Sequence, residues 1–135
     1  GDLMPDQYKE WAMPFAQRVI ERVRRPGVPV VYFVNGVAGK LDQVQHIGAD
    51  VLGIDWRIGL DQVRQVVGPE TVLQGNLDPC TLYAPPAVID DRVQAVLDAN
   101  GGGPHIFNLG HGILPTIPVN HAQHVVSAVK RLSSK

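Results

Sequence analysis

The sequence predicts an α/β fold made of four βα units with parallel strands. Three observations predict it. Short, solid runs of β-branched and aromatic residues, such as "VPVVYFV" at 28–34, read as strands covered on both faces. Between them lie stretches whose apolar residues recur at helical spacing. The 14 glycines and 11 prolines fall mainly at the joints, where they punctuate one kind of segment from the other. Strands that alternate with helices pair in parallel through right-handed crossovers.

The first helix is carried by Tyr8, Trp11, Phe15, Val19, Ile20 and Val23, with Pro14 a break or restart inside it and Pro26-Gly27 ending it. Val28 to Val34 is the first strand. After Asn35-Gly36, the stretch from Lys40 to Gly48 places Leu41, Val44 and Ile47 on one helical face. "DVLGID" (Asp50 to Asp55) is the second strand and a helix around Leu60 to Val67 follows it. "TVLQG" (Thr71 to Gly75) is the third strand, entering the loop Asn76 to Pro79. Val88, Ile89, Val93, Val96 and Leu97 define a helix over Pro86 to Leu97, which Gly101-Gly102-Gly103-Pro104 breaks. "HIFNL" (His105 to Leu109) opens the fourth unit, and a helix over Pro118 to Leu132 closes it.

With 135 residues, 44% of them hydrophobic, the chain is large enough for one modest domain with a real core. A net charge of −1 gives no electrostatic footprint for nucleic acid or an anionic membrane. The apolar runs are strand-length, so no membrane span is expected, and Gly1-Asp2-Leu3 begins nothing like a signal peptide. A single cysteine, Cys80, excludes an internal disulfide framework and fits a reducing cytoplasm. Four βα units make either a small open sheet or half of an eight-stranded barrel. Periodicity does not separate the two, although a complete barrel, usually about 250 residues, does not fit.

In both architectures ligands bind beyond the carboxyl ends of the strands. The residues expected there are polar or glycine-rich: Asn35-Gly36, Asp55-Trp56-Arg57, Gln74 to Asp78, and Asn108 with Gly110-His111-Gly112. A histidine at a strand mouth, held between glycines, is suited to meeting a ligand. Asp55 and Asp78 read either as a carboxylate pair or as loop caps. His121 and His124 share a helical face, but a catalytic zinc takes three protein ligands, so solvated histidines are the simpler reading. Cys80 has no basic neighbour in sequence and reads as a small packed residue rather than a nucleophile. The triple glycine at 101–103 precedes a strand instead of following one, which rejects a phosphate loop.

"ADVLGIDWRIGLDQVRQVVG" (49–68), "VLQGNLDP" (72–79) and above all "HIFNLGHGILP" (105–115) resemble the uroporphyrinogen decarboxylase family in order and spacing. The resemblance covers essentially the whole chain. It implies the C-terminal half of a (β/α)8 TIM barrel, residues 1–135 being a single partial domain. It also implies cofactor-free, metal-free removal of carboxyl groups from the four acetate side chains of uroporphyrinogen III, giving coproporphyrinogen III. Partners implied are those porphyrinogens, the missing N-terminal half of the barrel, and a second copy in a homodimer made through outer surfaces. The family's arginine-rich segment, its pyrrole-contacting aspartate, and its pocket tyrosine and serine all belong before Gly1. Only the histidine of "NLGHG" carries over, onto His111 as a substrate-binding residue, and no catalytic residue is assigned in this chain.

Met4, Gly59 and Thr116-Ile117 depart from the family's usual helix-capping and acidic residues. Two other readings remain open: a related cobalamin-dependent methyltransferase barrel, in which some members bind zinc through His and Cys, and a non-catalytic half-barrel module. A half-barrel exposes two strand edges, "VPVVYFV" and "HIFNL", so the chain alone is expected to be inactive and to associate through them.

Overall fold

A computed structural model describes residues 3–133. Gly1 and Asp2, which entered the signal-peptide argument, lie outside the described residues. Four parallel strands form one sheet in the order β1-β2-β3-β4: β1 Val31–Phe33, β2 Val51–Gly53, β3 Val72–Leu77 and β4 His105–Leu109. The helices alternate with them: α1 Pro5–Gln7 and α2 Met13–Val23, then α3 Leu41–Val44, α4 Leu60–Val67, α5 Pro86–Asn100 and α6 Val119–Leu132. The expected parallel α/β organisation is therefore present.

The helical segment before β1 restarts at Pro14, as expected, without leaving helical geometry. Tyr8–Ala12 forms a π-turn between α1 and α2, in which the Met13 N–H reaches back to the Tyr8 carbonyl. Pro14 then falls in the first turn of α2, where a missing N–H is tolerated. Met4 caps this segment without a side-chain acceptor; instead Gln7 Oε1 accepts the Met4 N–H at 3.2 Å. Tyr8, buried, shares a hydroxyl–hydroxyl bond of 2.8 Å with Tyr32 and so ties the helix to β1.

The first strand is shorter than its apolar run, and it is not covered on both faces. Pro29 has no N–H for a ladder, and the Val30 N–H is captured by the Asp50 carboxylate at 2.7 Å. Side chains alternate along parallel strands, so register divides the sheet into two faces. Tyr32, Leu52, Leu73 and His105 align across one face; Phe33, Gly53, Gln74 and Ile106 align across the other. Leu52 and Leu73 lie in the core with Leu60 and Val63 of α4. On the opposite face Val31 and Phe33 of β1 are each 44% exposed and Ile106 of β4 46%.

The core has two parts, both on the helical side. Val37, Leu41, Val44, Ile47, Leu52, Ile54, Leu60, Val63 and Leu73 belong to the first, and Leu77, Leu82, Ile89, Val93, Ile117, Val125 and Ala128 to the second. Full burial of each large aliphatic side chain stabilises by about 1.5–3 kcal/mol. Ile117, one of the departures from the family pattern, is used here as a core residue.

Candidate active site

The carboxyl ends of the strands are fastened to one another by side chains. Asp55, past the end of β2, is fully buried. Its Oδ2 accepts the N–H groups of Gly36 at 2.6 Å and Val37 at 3.1 Å, which fixes the exit loop of β1. Its Oδ1 accepts the Arg57 N–H at 2.9 Å and stands 3.5 Å from the guanidinium. Arg57 Nη1 also donates to Asn35 Oδ1 at 2.7 Å. From β3, Asn76 Nδ2 donates to the carbonyls of Asp55 at 3.1 Å and Ile58 at 2.6 Å.

The exit of β4 is pressed onto this frame. The Gly110 N–H donates to the Leu77 carbonyl at 2.8 Å, and a Cβ on Gly110 would stand 2.5 Å from the Trp56 backbone nitrogen. A Cβ on Gly112 would meet nothing within 4 Å. The first glycine is thus demanded by backbone packing within the chain, whereas the second leaves open space. His111, between them, is exposed at the rim and meets the Trp56 ring edge-on, with centroids 5.8 Å apart and planes at 81°. The Arg57 guanidinium lies over the same indole, 4.1 Å from its centroid. A groove of about 600 Å³ opens beside the rim, where Trp56, Asn76, Asp78 and Cys80 meet Val88 and Arg92 of α5.

Burial pushes the Asp55 carboxyl up, but the N–H groups of Arg57, Val37 and Gly36 and the Arg57 charge together hold it below the ordinary carboxylate value. Burial also holds His105 below its ordinary 6.5, against its hydrogen bond to the Gly75 carbonyl at 2.6 Å and with help from the Arg64 charge. These shifts set a pH dependence. A depressed histidine is stabilising while neutral, so stability falls as pH drops below about 6.5 through the lower folded value. A depressed carboxylate loses its contribution only below about 3.9. Melting temperature followed against pH is therefore expected to be level above neutrality and to fall in two stages, and His105→Gln is expected to remove the first stage only.

The other sequence candidates do not form a second catalytic cluster among the described residues. Asp55 and Asp78 serve different backbone groups: Asp55 clasps N–H groups of the β1 and β2 exit loops, whereas Asp78 Oδ1 accepts the Cys80 N–H at 2.8 Å and caps the 3-10 turn Pro79–Tyr83. Both act as loop caps. Cys80 is exposed, so its reading as a packed residue is corrected; the 3-10 turn points Leu82 inward and leaves Cys80 outside. His121 Nδ1 bonds the Leu82 carbonyl at 2.8 Å, while His124 Nε2 bonds Asp90 at 2.8 Å, so the two histidines serve different partners. Among the described residues no group of three or more His, Cys, Asp or Glu side chains is placed to hold a metal ion.

One contact and one residue have no signature in the sequence. Trp56 was placed on the rim, but its contact with His111 has no local signature. Arg64 on α4 was not singled out. Its guanidinium donates to Asn100, Pro69, Thr71 and Pro104 at the opposite end of the sheet, with Gly103 packed against it.

With this geometry in hand, the chain compares clearly with known proteins. The family profile described as uroporphyrinogen decarboxylase (URO-D) matches residues 1–132. The chain belongs to the uroporphyrinogen decarboxylase family. It is 48% identical over its whole length to the uroporphyrinogen decarboxylases of Geobacter metallireducens and Geobacter sulfurreducens, and covers 40% of each. It is 47% identical to that of Pelobacter propionicus over 98% of its length, covering 39% of that protein. The chain thus spans about 40% of the length of the curated uroporphyrinogen decarboxylases it matches. Among solved structures, a methyltransferase from Methanosarcina mazei superposes with a TM-score of 0.83 at 19% identity, over 98% of this chain and 39% of that one. That likeness shows a shared fold. All the rim residues described above, His111 included, lie inside the uroporphyrinogen decarboxylase match.

Proposed function

We propose that this chain supplies the C-terminal half of a (β/α)8 barrel that decarboxylates the four acetate side chains of uroporphyrinogen III to give coproporphyrinogen III. The observation that carries the reading is the family match over residues 1–132 together with 48% identity to proteins named for that reaction. Four parallel strands with one face against helices and Val31, Phe33 and Ile106 open on the other are what half of such a barrel presents. The homodimer implied by the family would use outer surfaces, separate from this face. An exposed free thiol at Cys80 suits a reducing cytoplasm.

The chemistry asks little of a cofactor. Protonating a pyrrole ring carbon makes the electron-rich ring a sink for the electrons released when the acetate carbon–carboxylate bond breaks. Carbon dioxide leaves, the exposed methylene is reprotonated to a methyl group, and the ring returns its added proton. The protein has to bind several carboxylates, orient one acetate and exclude water. His111, exposed at the rim with its ring against Trp56, is the residue proposed to hydrogen-bond a substrate carboxylate.

The test is turnover of uroporphyrinogen by the full-length protein, following coproporphyrinogen and carbon dioxide. His111→Ala is expected to lower kcat/KM by about 10- to 100-fold, the range of one hydrogen bond to a charged group, without unfolding the protein. Wild-type kinetics in a folded His111→Ala protein would remove His111 from the site, and absence of turnover in the wild type would refute the assignment.

A further inference from the structure

We infer that Trp56 is the positioning residue for His111, with the Arg57 guanidinium clamped over its indole, so that the exit of β2 sets the orientation of the histidine on the exit of β4. This deepens the reading of His111 as a carboxylate contact and rests on it. The argument begins with what holds His111. It follows Gly110, whose backbone is fixed by the Leu77 carbonyl, but the imidazole itself is exposed. Its described ring contact is with Trp56, at 5.8 Å and 81°. An edge-on aromatic pair has a preferred angle, so it orients as well as attracts.

Trp56 in turn has little freedom. Its backbone is packed under Gly110, and the planar guanidinium of Arg57 lies 4.1 Å from its ring centroid. Arg57 is held by Asn35 at 2.7 Å and by the fully buried Asp55 at 3.5 Å. A guanidinium fixed at two points is a better lid on an indole than a free one, because less side-chain entropy is lost in the contact. The order of support runs from Asp55 and Asn35 through Arg57 and Trp56 to His111: Asn35 reaches in from the β1 exit, Asp55, Arg57 and Trp56 share the β2 exit, and the last step crosses to the β4 exit. None of the supporting residues need touch the substrate.

A double-mutant cycle in the full-length enzyme tests this. Trp56→Leu is expected to lower kcat/KM by about 2- to 10-fold, matching the range of an aromatic pair, with Trp56→Phe restoring most of it. In a His111→Ala background, Trp56→Leu is expected to add no further loss. Additive losses, or unchanged kinetics in Trp56→Leu, would overturn the inference while leaving the decarboxylase reading intact. A second readout does not require turnover. The His111 ring protons are expected to carry an indole ring-current shift in the NMR spectrum, moved toward solvent-like values in Trp56→Leu and part of the way in Arg57→Met. Unchanged shifts in both folded variants would refute the clamp, whatever the reaction proves to be.

Discussion

Replacing Arg64 with methionine is expected to lower the unfolding free energy by about 3 kcal/mol or more, the range for breaking a charged hydrogen-bond hub. Methionine keeps much of the aliphatic stem and removes the guanidinium. That group donates through Nε to the Asn100 carbonyl at 3.2 Å and through Nη2 to Asn100 Oδ1 at 2.7 Å and the Pro104 carbonyl at 2.9 Å. Nη1 reaches the carbonyls of Pro69 at 2.8 Å and Thr71 at 2.7 Å. The end of α4, the start of β3, the end of α5 and the start of β4 thus share one cation. The Asn100 and Thr71 acceptors, whose bonds are part-buried, keep their desolvation cost, which is why the loss exceeds that of a surface ion pair. Urea denaturation measures it, and a change within 0.5 kcal/mol would show that water replaces the guanidinium at no cost. Activity per folded molecule is expected to survive, because Arg64 lies at the end of the sheet away from His111.

The triple glycine at 101–103 becomes intelligible beside Arg64. Gly101 takes the left-handed conformation that ends α5, at φ 64°, and Gly103 gives the guanidinium room, since a Cβ there would stand 2.4 Å from Arg64 Cζ. The three glycines lie between the end of α5 and the start of β4, the order the sequence predicts, and the reason for the third lies in a distant side chain. The same division runs through the fold. His105–Leu109 was legible residue for residue, because an apolar run bounded by Pro104 and Gly110 has nowhere else to start or stop. The second helical stretch was overextended: after one turn of α3, the N–H groups of His46 and Ile47 bond three residues back and tighten the chain. The π-turn over Tyr8–Ala12 has no periodic signal, because it differs from α-helix only in its hydrogen bonding, as from the Met13 N–H to the Tyr8 carbonyl. At the rim, strand ends told which residues gather there. They did not tell that Asp55 would be a buried clasp rather than half of a carboxylate pair, because its partners, the N–H groups of Gly36 and Val37, are backbone atoms of another loop.

The two glycines around His111 are expected to respond very differently to one added methyl group. In Gly110→Ala the new Cβ would stand 2.5 Å from the Trp56 nitrogen and 3.0 Å from the Asp55 carbonyl carbon. Both are backbone atoms, and the segment bearing them is pinned by the Asp55 carboxylate and by Asn76, so neither can swing aside as a side-chain tip would. Overpacking of this kind costs about 1–3 kcal/mol. The strain is relieved only by lifting the β4 exit, which carries His111 away from Trp56. Gly110→Ala is therefore expected to destabilise the protein by that amount and to lose as much kcat/KM as His111→Ala does. Gly112→Ala meets nothing within 4 Å and is expected to change stability by less than about 0.5 kcal/mol. Thermal melts of the two variants side by side check the contrast. Equal destabilisation would mean that Gly112 is crowded by some other part of the protein. A wild-type melt for Gly110→Ala would mean that the β4 exit is not seated against β2, and the support of His111 by Trp56 would fall with it.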